Sequence, residues 1–266
     1  MRAALVCAAA LLAASAAAAE SSADFFQGLI DQYKPIEGAE FTIVVPHPEL
    51  RVNADGFALT PAMGVRSSFA FTPAKAGTSV SGQLCLLESE AGEMERAALE
   101  AGFKIVAVDE HFIGETPKLV FVHLERRGER DAATDAARKL LDLLRQRRVA
   151  AGLQPGPTRA AGSLDRGKIE AAFSVPAKED EGVLRLSYPF AEVSVRGTMD
   201  KAAVAGVLSK EPDASALAAL VKAGARLAAV SRRETAFWGV GRPAELGPAV
   251  AAAAGSLREK EEAPGP

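Results

Sequence analysis

Apolar and polar positions alternate with a period of two through most of the chain, interrupted by a few stretches with helical spacing. Phe25, Phe26, Leu29, Ile30 and Tyr33 form one stripe and predict a short helix over 23–33, stopped by Pro35. Strand-like runs follow at 41–45 and 50–52, bent at Pro46-His47-Pro48, where His47 is expected to be exposed. Asp55-Gly56 marks a turn, and two further strands are expected at 67–72 and 79–87. Met94, Ala97, Ala98 and Ala101 share a face and predict a helix over 89–101, with Gly102 as its C′ residue. Phe103 to Glu125 reads as a hairpin. A second helix starts near Asp131, an N-cap residue type, and carries Ala133, Ala136, Ala137, Leu140, Leu141 and Leu144 on one face. Arg145, Arg147 and Arg148 at its end suit the helix dipole and are expected to be solvated.

A Gly/Pro-rich linker at 151–163 precedes a second round of the same pattern. Pro46-x-x-Glu49-Leu50-x-Val52 matches Pro189-x-x-Glu192-Val193-x-Val195 at an offset of 143. Residues 101–108 match 223–230 at an offset of 122, and Val120-Phe121-Val122 matches Ala236-Phe237-Trp238 at 116. On these offsets the second copy lacks 21 residues after its first strands and 6 in the hairpin loop, and Asp131 falls on Gly247-Pro248 as a helix start. The expected fold class is α+β, with two related modules, each an antiparallel sheet with helices packed on one face. The short β-β connections exclude the crossovers of a parallel sheet. The expected boundaries are module one at 20–150, a degenerate second repeat at 164–257 and a disordered tail at 258–266.

Composition adds a compartment. Residues 1–19 carry Arg2, then an Ala/Leu-rich apolar run ending in small residues, the layout of a signal peptide. No later run has the length and apolarity of a membrane span, so the reading is a periplasmic or secreted protein that does not span the membrane. Without Arg2, 30 basic and 34 acidic residues remain, and nothing points to nucleic acid. Only Cys85 is left of the cysteines, which excludes an intramolecular disulfide; its alternation with Leu84 and Leu86 predicts a buried free thiol. No Ser-His-Asp spacing, Gly-rich phosphate loop or Cys-x-x-Cys motif is present, which argues against hydrolase, nucleotide and thiol-redox classes.

The segments PHPELRVNADG (46–56), PAMGVRSSFAF (61–71), GQLCLLESE (82–90) and DEHFIGETPKLVFVHLE (109–125) together resemble the LppY/LpqO family of exported bacterial proteins, a domain family of unknown function. The last segment in that family usually reads His-Asn-His, three residues, an acid, then x-Pro-Arg and an apolar strand ending in His. His111, Glu115, Pro117 and His123 fit this frame, whereas Asp109-Glu110 replace His-Asn and Gln83 replaces an acid. The resemblance is specific over the first module and weak over the second. It implies export and a two-module fold; it supplies no activity.

The candidate chemistry lies in the hairpin. Alternation puts Phe103, Ile105, Ala107, Asp109 and His111 on one face, and a turn centred near Thr116 pairs Asp109 with His123 and His111 with Phe121. Opposed residues have Cβ atoms about 4.5–5.5 Å apart. Asp109, His111, His123 and loop residue Glu115, with Glu125 one position on, then form a candidate set for a divalent transition metal such as zinc, iron or manganese. The bland alternative is a hydrogen-bonded polar strand end. In the second copy Asp109, His111 and His123 fall on Ser231, Arg233 and Gly239, so every candidate ligand is missing there. Trp238 reads as a core residue of that module. Three functions follow. The first is an exported binder of a metal ion or small polar ligand. The second is a metal-dependent enzyme at the same place, with metal-bound water as nucleophile and Glu110 or Glu115 as base. The third is an envelope interaction protein with no small-molecule site, whose second module docks a protein partner.

Overall fold

A computed structural model of the protein describes residues 40–75, 77–154, 163–180, 182–209, 212–230 and 234–262. The expected leader, the helix at 23–33, most of the linker, Ser231, Arg233 and residues 263–266 lie outside them. The first module runs β1 (Phe41–Pro46), β2 (Val52–Ala54), β3 (Phe57–Leu59), a 3-10 turn (Pro61–Met63), β4 (Arg66–Ala74), β5 (Gly77–Leu87), α1 (Glu88–Glu100), β6 (Lys104–Asp109), β7 (Leu119–Gly128) and α2 (Arg130–Ala150). The second runs α3 (Arg166–Phe173), β8 (Ala177–Asp180), β9 (Val183–Tyr188), β10 (Ala191–Gly197), β11 (Ala202–Leu208), α4 (Ala214–Lys222), β12 (Ala225–Val230), β13 (Thr235–Gly241) and α5 (Pro243–Glu262).

Both sheets are antiparallel, and the fold is α+β in two related modules. The first sheet has the order β1-β4-β5-β7-β6; the second has β9-β10-β11-β13-β12 with β8 added outside β9. Strand alternation divides each sheet between two cores. Phe69, Phe71, Leu84, Leu86, Val122 and Leu124 face α1 and α2, while Val193, Val204, Leu208 and Phe237 face α3, α4 and α5. The opposite faces meet in a third core. Cys85, Leu119 and Phe121 from one sheet and Ala203, Ala205 and Trp238 from the other close over Leu50, Val52, Leu59, Met63 and Val65 of the connecting segment.

Matching the ladders strand by strand revises the repeat. β9 follows β1 at an offset of 143, β10 and β11 follow β4 and β5 at 124, β12 follows β6 at 122, and β13 follows β7 at 113. Pro189 is therefore the counterpart of Pro46, but Glu192–Val195 lie in β10 and correspond to Ser68–Phe71, not to Glu49–Val52. The 19 residues present only in the first copy are the β2–β3 ribbon and its 3-10 turn, whose apolar side chains fill the space between the sheets. The second hairpin is shorter by nine residues rather than six. α5 starts at Pro243, so Pro248 lies inside it. The helix also continues to Glu262 across most of the expected tail, as the helix-forming sequence from Arg258 onward permits.

At equivalent positions β5 and β11 carry Gly82 and Gly206. Each leaves room for a phenyl ring, but from opposite neighbours: Phe69 of β4 lies against Gly82, and Phe237 of β13 against Gly206. The remaining neighbours are Leu124 of β7 and Val193 of β10.

Two expectations of exposure are overturned. His47 is 2% exposed and Arg148 is 3% exposed. Arg148, from the end of α2, reaches Glu49 (2.7 Å), Glu90 (2.8 Å) and the Cys85 carbonyl (2.9 Å). The Cys85 N–H donates to Ser67 Oγ (3.0 Å), Ser67 Oγ–H donates to His47 Nε2 (2.8 Å), and His47 Nδ1–H donates to Glu49 (3.1 Å). Burial, with Arg148 adding to it, lowers the His47 pKa to about 4, which makes the imidazole neutral and gives the donor directions above. Cys85 is a buried free thiol, as expected, and burial pushes its pKa up to about 12.

Candidate metal centre

The hairpin register differs from the simple pairing. Ile105 opposes Leu124, but Ala107 opposes His123 and Asp109 opposes Phe121, with a bulge at Val106. One extra residue reverses strand parity. Phe103 and Ile105 consequently pack toward the helices, while Asp109 turns onto the inter-module face beside His123 and Phe121. The same bulge recurs in β12, between Leu227 and Ala229.

His111 lies two residues beyond β6. Its ring stacks on Phe121, with centroids 3.7 Å apart and planes 8° from parallel, and it is 5% exposed. Glu234 comes from the second module, immediately before β13, so the ends of the two β-hairpins meet here. His111 Nε2 is 2.9 Å from Glu234 Oε1 and 3.4 Å from Asp109 Oδ1. His123 Nε2 is 3.2 Å from Asp109 Oδ1 and 3.9 Å from Glu234 Oε1. One donor atom from each of the four residues lies within 4.8 Å of all the others.

Glu115 stands apart from this group. Its carboxylate is buried, accepts the Leu119 N–H (3.2 Å) and lies 3.5 Å from Lys118 Nζ, so it fastens the loop. Glu110 pairs with Lys118 at the surface side of the same loop, and Glu125 opposes Lys104 farther along β7. In the second module the counterpart of His123 is Ala236, not Gly239, given the offset of 113. Trp238 faces the inter-module layer rather than its own module's helices, and its Nε1–H donates to Asp55 (2.6 Å).

The electrostatics favour positive charge at the cluster. Burial pushes the Asp109 carboxyl up, but the hydrogen bonds from His111 and His123 outweigh it and hold the group well below the usual range. Burial pushes His111 down, yet Asp109 and Glu234 overcome this and raise its pKa. His111 Nε2 has one hydrogen at most to give, and two carboxylates compete for it. The donor set fits a divalent ion. Ligands about 2.1 Å from a common centre stand about 3.4 Å apart in a tetrahedron and about 3.0 Å apart at adjacent octahedral positions.

A cavity of about 360 Å³ between the two sheets ends at His111 and Glu234; Asp109 and His123 do not line it. Its other walls include Arg66, Ser68 and Gln83 of the first module and Tyr188, Glu192 and Ser209 of the second.

Residues 26–145 match the profile of a Domain of Unknown Function (DUF1259). No curated protein matches the chain significantly. Among solved structures, the fused permuted hexameric shell protein of the RMM microcompartment matches at 15% identity over 83% of this chain and 97% of its own, with a TM-score of 0.22. A likeness at that level supports no functional argument. Among the described residues, no helix is long and apolar enough to cross a membrane.

Proposed function

We propose that the protein is an exported, LppY/LpqO-like binder of one divalent transition metal ion, with Asp109, His111, His123 and Glu234 as ligands. The observation carrying this reading is the convergence of two imidazoles and two carboxylates from both modules, with one donor atom of each within 4.8 Å of all the others. Two carboxylates neutralise a divalent charge, and two neutral imidazoles suit zinc, iron or manganese. Glu115, expected in the set from its place in the hairpin, has no ligand role in this reading. Export rests on the signal-peptide layout of the first 19 residues. The two modules are read as copies of one unit, the second carrying no histidine of its own and contributing Glu234 to the first.

The test is metal analysis and titration of chelator-stripped protein with Mn²⁺, Fe²⁺, Co²⁺ and Zn²⁺. One ion per chain is expected, with the site abolished by His111→Ala plus His123→Ala and weakened by Glu234→Gln. Site affinity unchanged in the double variant, or occupancy below about a tenth of an equivalent with every metal, would overturn the reading.

A further inference from the structure

The cavity ending at the cluster has the composition of a binding site for an uncharged polar molecule. Its charged groups are already matched. Arg66 is paired with Glu192 across the modules, and two carboxylates with a divalent ion sum to zero at the other end. What remains is a set of neutral groups. The side chains of Ser68, Gln83 and Ser209 line the cavity and have no hydrogen-bond partner among the described residues. Ser68 and Gln83 are opposed on β4 and β5, and Gln83 is opposed to His123 on β7. A row of polar positions thus runs across the inter-module face of the first sheet toward the metal ligands, where core packing would call for apolar ones. Tyr188 and Phe190 give part of the opposite wall a flat apolar surface. At about 360 Å³ the cavity falls within the usual range for small-molecule sites, roughly 300–1,000 Å³, and has room for a molecule of hexose size.

Resting on the metal reading, we infer that the protein holds a small neutral polyhydroxylated compound, of the sugar or polyol class, in this cavity. Two of its adjacent hydroxyls meet the ion from the side of His111 and Glu234, and Ser68, Gln83 and Ser209 hydrogen-bond the others. An anionic ligand fits less well, because among the described residues the only lining guanidinium, that of Arg66, already carries a carboxylate. Four protein ligands leave two positions of an octahedral ion for such a pair of oxygens.

The experiment is calorimetric titration of Mn²⁺-loaded and metal-free protein with glycerol, D-glucose, mannitol and myo-inositol, using succinate and citrate as anionic comparators. Metal occupancy is measured separately on the same samples. At least one polyol is expected to bind the loaded protein, at least tenfold more weakly when the metal is removed. Gln83→Leu and Ser68→Val should weaken it at least tenfold while Mn²⁺ stoichiometry stays at one. Full Mn²⁺ occupancy with no polyol binding at 10 mM would overturn the cavity proposal and leave the metal reading standing. Failure to bind any metal would overturn both. Tighter binding of the anions, or polyol binding indifferent to metal, would refute the ligand class or the contact with the ion.

Discussion

Replacing His47 with glutamine would isolate the protonation state of the buried chain that ties β4, β5 and α2 together. The glutamine amide can still donate to Glu49 and accept from Ser67, but it cannot titrate. In the native protein His47 is neutral and takes up a proton only near pH 4, whereas in the unfolded chain it does so at its ordinary 6.5. Its pKa is therefore depressed by folding. The stability it contributes is fully present above pH 6.5 and is lost as pH falls from 6.5 toward 4. A shift from 6.5 to about 4 amounts to about 3 kcal/mol when the loss is complete, and about 2 kcal/mol is already gone at pH 5. Urea unfolding of both proteins at pH 7.0, 6.0 and 5.0 gives the measurement. The variant is expected to be the less stable protein at pH 7, with the wild-type advantage shrinking by about 2 kcal/mol by pH 5. Other titrating groups are common to both proteins and cancel in the difference. An advantage constant within about 0.5 kcal/mol over that range would mean that folding leaves the His47 pKa at its ordinary value, and one that grows as pH falls would mean that His47 is protonated in the native state; either result would refute the assignment of donors along the chain.

Arg148→Met leaves Glu49 and Glu90 without their shared cation and should cost about 3–5 kcal/mol in urea unfolding at pH 7; a loss below about 1 kcal/mol would refute a structural role for the network. Asp55→Ala strands the buried Trp238 indole N–H and should destabilise by about 1–3 kcal/mol. Trp238 is the single tryptophan, so its emission follows opening of the inter-module layer, and an unchanged denaturation midpoint would contradict the contact. Gly206→Ala places a methyl inside contact distance of the Phe237 ring and should cost about 1–3 kcal/mol. Gly92→Ala in α1, with nothing near its added methyl, should instead gain up to about 1 kcal/mol. Equal thermal midpoints for these two glycine variants would refute the packing account.

Much of the local architecture was legible in the sequence because it follows from periodicity. The helix predicted over 89–101 forms at Glu88–Glu100, and Gly102 adopts the left-handed conformation expected of a C′ residue. The α+β class followed from short connections between alternating segments. Offsets were read less well. Sequence matching slid Glu192–Val195 onto Glu49–Val52 because both share a Glu-apolar-x-Val pattern, and only the ladders distinguish β10 from the ribbon. The bulge at Val106 was invisible, since Val106 is an ordinary strand residue and only the competing demands of the two faces place the extra residue there. The shift from the expected register nevertheless kept Asp109 and His123 on one face, because the pairing moved by two positions. Burial of His47 and Arg148 is not legible in the sequence because each looks solvated when read alone, and Arg148 finds its partners Glu90, Cys85 and Glu49 58 to 99 residues away along the chain. Glu234 was missed for a related reason. The second copy does not retain the first copy's ligands; its shortened hairpin, with Glu234 before β13, supplies a complementary one instead.

The paired glycines in β5 and β11 have a consequence for how the chain sorts its own strands. Two sheets of like strand order could exchange neighbours during folding. Gly82 has room for one large ring, supplied by Phe69, and its other neighbour is Leu124; Gly206 receives Phe237, and its other neighbour is Val193. If β5 paired with β4 and β13, two phenyl rings would compete for one hollow. If β11 paired with β10 and β7, the hollow would hold no ring at all. Each wrong sheet is thus overfilled or underfilled in the middle of its central strand, and the same residue type, glycine, marks both modules while the side from which the ring arrives tells them apart.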